Sequence, residues 1–83
     1  MPAKRNILTV PDLGLADVPL ATSVWLVATG SEVSEGDRLL EIVGGVVALD
    51  LSATVSGILV EQLVGEDEPI VVGQPLAVIE CAE

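Results

Sequence analysis

The sequence predicts a small all-β domain, and three observations carry that reading. Its apolar residues are aliphatic and largely β-branched, 14 Val, 12 Leu and 5 Ile against a single aromatic, Trp25, a bias that suits pleated, half-buried strands. Short apolar runs are broken by Gly-, Pro- or acid-containing turns about every eight to twelve residues, with no helical period. One half of the chain also repeats the other. Leu26-Val27 followed by Val33, Gly36, Leu39 and Ile42 returns as Leu63-Val64 followed by Ile70, Gly73, Leu76 and Ile79, at a constant offset of 37 residues. Neither copy could cover its apolar side alone, so two copies packed face to face make a small sandwich with approximate two-fold symmetry.

Each element follows in order. Residues 1–6 read as a flexible tail, and 7–83 as a single domain with no linker. Ile7 to Val10 is a strand that Pro11 ends by removing a backbone donor. Asp12-Leu13-Gly14 is a turn, and an irregular stretch runs to Pro19. Leu20 to Ala28 favours strand, with Val24 to Val27 as its apolar centre. Turns follow at Gly30-Ser31-Glu32 and at Glu35 to Arg38. Leu39 to Val43 is a strand, Gly44-Gly45 breaks it, and Val46 to Leu51 resumes. Val55 to Val64 carries further strand signal, bent at Gly57. After the acidic turn from Gly65 to Pro69 and a turn at Gly73-Gln74-Pro75, Leu76 to Ile79 closes the domain. Each copy of the repeat thus reads strand, turn, short bridge, Gly turn, strand.

Charge narrows the possible roles. Thirteen acids against Lys4, Arg5 and Arg38 leave a formal net charge of −10, which repels phosphate backbones and anionic lipid and argues against nucleic acid or membrane as partner. There is no His, so the commonest metal ligand and neutral-pH base is missing. Cys81 is the only cysteine, which forbids an internal disulfide. No apolar run reaches the roughly 20 residues of a membrane helix, no leader pattern opens the chain, and the expected compartment is the cytoplasm.

The repeat and its particular words resemble the lipoyl/biotinyl-attachment domain family, in particular the lipoyl domains of acyltransferase components of 2-oxo acid dehydrogenase complexes. Val10-Pro11-Asp12-Leu13-Gly14 is similar to the opening of those domains. Trp25-Leu26-Val27, Gly30, Val33 and Gly36-Asp37 with Leu39 resemble their first half. Gly57-Ile58-Leu59 and Val72-Gly73-Gln74-Pro75-Leu76-Ala77-Val78-Ile79-Glu80 resemble their second. The resemblance spans residues 7–80. It implies a flattened barrel, or barrel-sandwich hybrid, of two four-stranded antiparallel sheets.

The resemblance also implies where chemistry would sit. Those domains carry lipoate on one lysine in an Asp-Lys-Ala hairpin tip, and biotinyl domains use Met-Lys-Met. Counting forward from Glu41-Ile42 and back from Gly57 sets that tip on Gly45-Val46-Val47, so Val46 stands at the acceptor position and cannot form the amide. Lys4, the only lysine, falls in the expected tail. Gly44-Gly45 suits a two-residue type I′ turn, which reads either as a tip settled into a stable hairpin once freed of its task, or as a mount for Val43, Val46 and Val47 as an exposed apolar knob for a protein partner or a second copy.

Other constellations read as structural. Glu66-Asp67-Glu68 lacks the spacing of a Ca²⁺ loop and is expected to be a solvated turn. Asp12 and Asp17 read as turn residues without a shared cleft. Cys81 has no activating base, Gly44-Gly45 has no following Lys or helix to cradle phosphate, and Trp25 reads as a partly buried core residue. No catalytic, cofactor-binding or metal-binding residues are expected. The resulting expectation is a lipoyl-type domain without an attachment lysine, acting as a non-enzymatic interaction or assembly module of dehydrogenase-type machinery. The alternative is a swinging-arm carrier domain in a lysine-less or engineered form. A periplasmic efflux-adaptor domain fits less well, because only Gly44-Gly45 separates the two tip strands. The related glucose-carrier phosphotransfer domains need a histidine.

Overall fold

The computed structural model describes residues 4–15 and 17–81. Eight strands follow one another: β1 (Lys4–Thr9), β2 (Leu20–Trp25), β3 (Glu32–Val33), β4 (Arg38–Gly44), β5 (Val47–Ser52), β6 (Gly57–Gln62), β7 (Pro69–Ile70) and β8 (Pro75–Cys81). They form two four-stranded sheets, ordered β1-β8-β6-β3 and β5-β4-β2-β7, and every pairing is antiparallel. The all-β sandwich read from the repeat is the fold observed.

The two-fold relation extends to single hydrogen bonds. Exchanging β2, β3 and β4 with β6, β7 and β8, and β1 with β5, converts one sheet order into the other. Leu26 N–H donates to the Leu39 carbonyl, as Leu63 N–H does to Leu76. Gly36 N–H reaches the Ala53 carbonyl where Gly73 N–H reaches Val10. In the turns, Ser34 N–H bonds Asp37 Oδ2 at 2.8 Å and Val71 N–H bonds Gln74 Oε1 at 3.1 Å. The halves differ in one connection: residues 10–19 join β1 to β2, whereas the shorter 53–56 joins β5 to β6.

Repeat partners meet in the core. Leu39 and Leu76 are both wholly buried, as are Ile42 and Ile79, and Val33 and Ile70 nearly so. These side chains belong to one buried apolar cluster drawn from both sheets, whose burial offsets the chain entropy of ordering so short a domain.

Three expectations need correction. Lys4 to Asn6, assigned to the tail, belong to β1 and pair with Cys81, Glu80 and Ile79. The free edge of β8 supplies ladder partners for these residues, and Arg5 forms ion pairs with Glu61 at 3.6 Å and Glu80 at 3.4 Å. The rest of that tail, residues 1–3, lies outside the described residues. The strand expected over Leu20 to Ala28 ends at Trp25, and of its apolar run only Trp25 and Val27 pack partly against the core, while Val24 and Leu26 are exposed. A register shift between Thr22 and Trp25 changes which side chains face inward. The turn between β4 and β5 is also displaced by one residue, with consequences for the tip.

Candidate functional site at the hairpin tip

The last cross-strand pair of the β4–β5 hairpin is Gly44 with Val47, so the central turn residues are Gly45 and Val46. Gly45 has a φ of 60° and Val46 is not among the residues with positive φ. Positive φ at the first central position alone is the type II′ pattern, rather than the I′ turn expected for Gly44-Gly45. A β-branched valine resists positive φ, so the one flexible residue takes the first position and Val46 the second.

Gly44 has a different task. It is buried in β4, and a methyl group placed on it would lie 2.7 Å from Leu20 Cδ2, 3.4 Å from Leu15 Cδ1 and 3.6 Å from Val18 Cγ1. The missing side chain lets the connection over residues 10–19 close against the hairpin. The two glycines that look like one turn motif therefore serve packing and turning separately.

At the apex the Val46 side chain is fully exposed, with a relative exposure of 104%. Val47 is exposed at 41%. Val43 is half-buried, opposite Ala48 on β5 and Ala21 on β2. The expected knob is thus Val46 with Val47, and Val43 contributes little free surface. None of these groups is nucleophilic, acidic or basic. Lys4 lies in β1 opposite Cys81, whose Sγ accepts a hydrogen bond from Asn6 Nδ2 at 3.3 Å.

Beside the hairpin lies a cleft of about 540 Å³, walled by Leu13, Leu15, Val18 and Leu20 on one side and Val71 and Val72 on the other. Asp12 and Asp17 both border it, so they do share a cleft, contrary to expectation. Asp12 Oδ1 accepts the Gly14 N–H at 2.9 Å, the turn role expected of it. The walls of this cleft come from residues 12–20 and 70–72, segments too far apart for any one stretch of sequence to show it. One signal was present: the repeat sets Val71-Val72 where the first half has Ser34-Glu35.

The acidic turn is held from within. Glu66 Oε2 accepts the Trp25 N–H at 2.9 Å, and the Trp25 indole N–H donates to the Val64 carbonyl at 3.0 Å. Trp25 is half-buried against the core. Among the described residues no three acidic or cysteine side chains gather as a metal ligand set.

The Biotin_lipoyl family model, described as biotin-requiring enzyme, matches residues 6–79. The dihydrolipoyllysine-residue acetyltransferase component of the acetoin cleaving system of Pseudomonas putida is 33% identical over 74 residues, covering 89% of this chain and 20% of its own length. The chain therefore spans about a fifth of that relative. Among solved structures, the lipoyl domain of the 2-oxoglutarate dehydrogenase complex of Azotobacter vinelandii superposes with a TM-score of 0.73 at 16% identity, covering 92% of this chain and 95% of that one. A single-chain, multi-domain long-chain acyl-CoA carboxylase matches with a TM-score of 0.76 at 18% identity, covering 95% of this chain and 7% of that one. At these identities the two structures speak for the fold.

Proposed function

This chain belongs to the biotin/lipoyl domain family, and we propose that within it the chain is a lipoyl-type domain without an acceptor, working as a non-catalytic interaction or assembly module of 2-oxo acid dehydrogenase-type machinery. The observation that carries this reading is Val46. It occupies the apex of the hairpin, fully exposed, at the position that counting from Glu41-Ile42 and from Gly57 equates with the acyl-accepting lysine. Its isopropyl group has no lone pair with which to attack an activated acyl group, so neither lipoate nor biotin can be attached there as an amide.

Lys4 is a poor substitute. It starts an edge strand rather than crowning a two-residue turn. What the domain retains is a rigid frame, an apolar apex and an acidic surface, which suit recognition, with the charges setting association rate and partner choice. The kinship with an acetyltransferase component supports the same machinery as the setting, and keeps a carrier ancestry in view.

Intact-protein mass after co-expression with lipoate- and biotin-protein ligases tests the reading. The expected mass is that of the unmodified chain. A lipoyl or biotinyl adduct on Lys4 or any other group overturns it. In parallel, the triple variant Gly45→Asp, Val46→Lys, Val47→Ala asks whether ligase recognition survives. Acylation of that variant identifies the missing amine as the sole defect and favours a disabled carrier. Refusal by a folded variant shows that the recognition surface diverged as well.

A further inference from the structure

The two-fold relation within the chain provides an internal control for its surface. The turns at 34–37 and 71–74 have the same backbone, each closed by a side-chain oxygen that accepts the first amide and by a return bond from Asp37 N–H to Ser34 or from Gln74 N–H to Val71. The first turn displays Ser34 and Glu35. The second displays Val71 at 67% and Val72 at 54% exposure. The same turn built with a polar pair shows that the fold does not require valines there. These two exposed β-branched residues lie at the same end of the sheet as the hairpin tip, since Leu20 pairs with both Gly44 and Ile70, and they need a different explanation.

We propose that the hairpin tip and the neighbouring cleft form a self-complementary contact through which two copies of this chain pair about a two-fold axis. The tip is a knob, with Val46 fully exposed at its apex. The cleft is an open groove of about 540 Å³ with Leu13, Leu15, Val18, Val71 and Val72 in its walls, and serves as the hole for that knob. Val18 links them: it lines the cleft, and its Cγ1 lies 3.5 Å from where a methyl group on Gly45 would sit. Knob and hole on one surface are what an isologous contact needs, since each copy can offer the tip and receive the other's. Residues 42–49 carry no charge, so the acids at the cleft, Asp12 and Asp17, meet a neutral knob rather than another acid.

This pairing deepens the interaction-module reading and rests on it only for the tip being free of an acyl arm. Ligase modification would defeat that reading without bearing on association of the unmodified chain. Sedimentation velocity from about 10 μM to about 1 mM, in about 50 mM and about 500 mM NaCl, tests the pairing directly. A weak monomer–dimer equilibrium is expected that tightens in the higher salt, because screening removes repulsion between two chains of net charge −10. Val71→Ser with Val72→Glu copies the polar turn of the other half and is expected to weaken the dimer at least about tenfold, with Val71→Ser/Val72→Ser doing so without added charge. Val46→Ser is expected to act in the same direction, with circular dichroism confirming that each variant is folded.

A monomer at every concentration and salt overturns the proposal, as does a dimer indifferent to the Val71 and Val72 changes. Binding of poly-lysine to the wild type that the same variants abolish, without self-association, would assign the surface to a cationic partner instead and also overturns it.

Discussion

The Thr22 hydroxyl accepts the backbone N–H of Glu68 at 2.8 Å and donates to the Gly65 carbonyl at 2.8 Å. Thr22 is wholly buried, and its own amide and carbonyl bond Glu68 and Asp67. The acidic turn thus hangs from β2 by both backbone and side chain. Its repeat partner on β6 is Leu59, also wholly buried, so one half uses a hydroxyl where the other uses a hydrocarbon.

Removing that hydroxyl should be costly. Thr22→Val preserves shape but strips a partner from the Glu68 amide and the Gly65 carbonyl. We expect a loss of about 1–3 kcal/mol, read as a lower urea midpoint with an unchanged m-value. Thr22→Ser should recover most of the hydrogen bonding. A neutral Thr22→Val would show that water satisfies both backbone groups.

The paired core leucines make a symmetric prediction. Leu39 and Leu76 are equivalent and wholly buried, so each Leu→Ala should cost about 2–5 kcal/mol by lost transfer energy plus cavity. Against a usual total of about 5–15 kcal/mol, either leaves the domain near its threshold. Similar thermal shifts for the two variants check the symmetry, and a large inequality would show that one half packs more tightly.

The tip separates a structural position from a free one. Val46→Ser should change stability by no more than about 0.5 kcal/mol, because its side chain is fully exposed. Gly44→Ala should cost about 1–3 kcal/mol, since the new methyl would press on Leu20. Chemical denaturation of both variants compares them directly, and the opposite order would move the turn back to Gly44-Gly45.

Arg5 tests surface ion pairing. Its side chain is 59% exposed and spans Glu61 and Glu80, so Arg5→Gln should cost at most about 1 kcal/mol. That difference should shrink in high salt as screening weakens both pairs. A larger, salt-independent loss would mean that the arginine stem, rather than its charge, holds the edge strand.

Much of the fold was legible in the sequence because the repeat is a local and periodic signal. Val33, Leu39 and Ile42 with their partners Ile70, Leu76 and Ile79 mark core positions wherever the strands end. The hairpin was legible too, and so was the absence of an amine at its apex. Strand ends were less so. Lys4 to Asn6 look like a polar tail until the open edge of β8 offers them partners, and Val24 to Val27 look like the middle of a strand that in fact shifts register after Thr22 and ends at Trp25.

What the sequence determined by itself was composition-bound: an aliphatic β-sandwich, two-fold in design, with valine at the tip and no histidine anywhere. Tertiary structure decided the rest, because those outcomes depend on distance across the fold. Leu20 and Leu15 leave no room for a side chain at Gly44, which stays in β4 paired with Val47 while Gly45 and Val46 make the turn. The connection over residues 10–19 meets Val71 and Val72 to form the cleft, a juxtaposition that no sequence window contains. Contacts between segments so far apart arise only once both sheets have closed around one core.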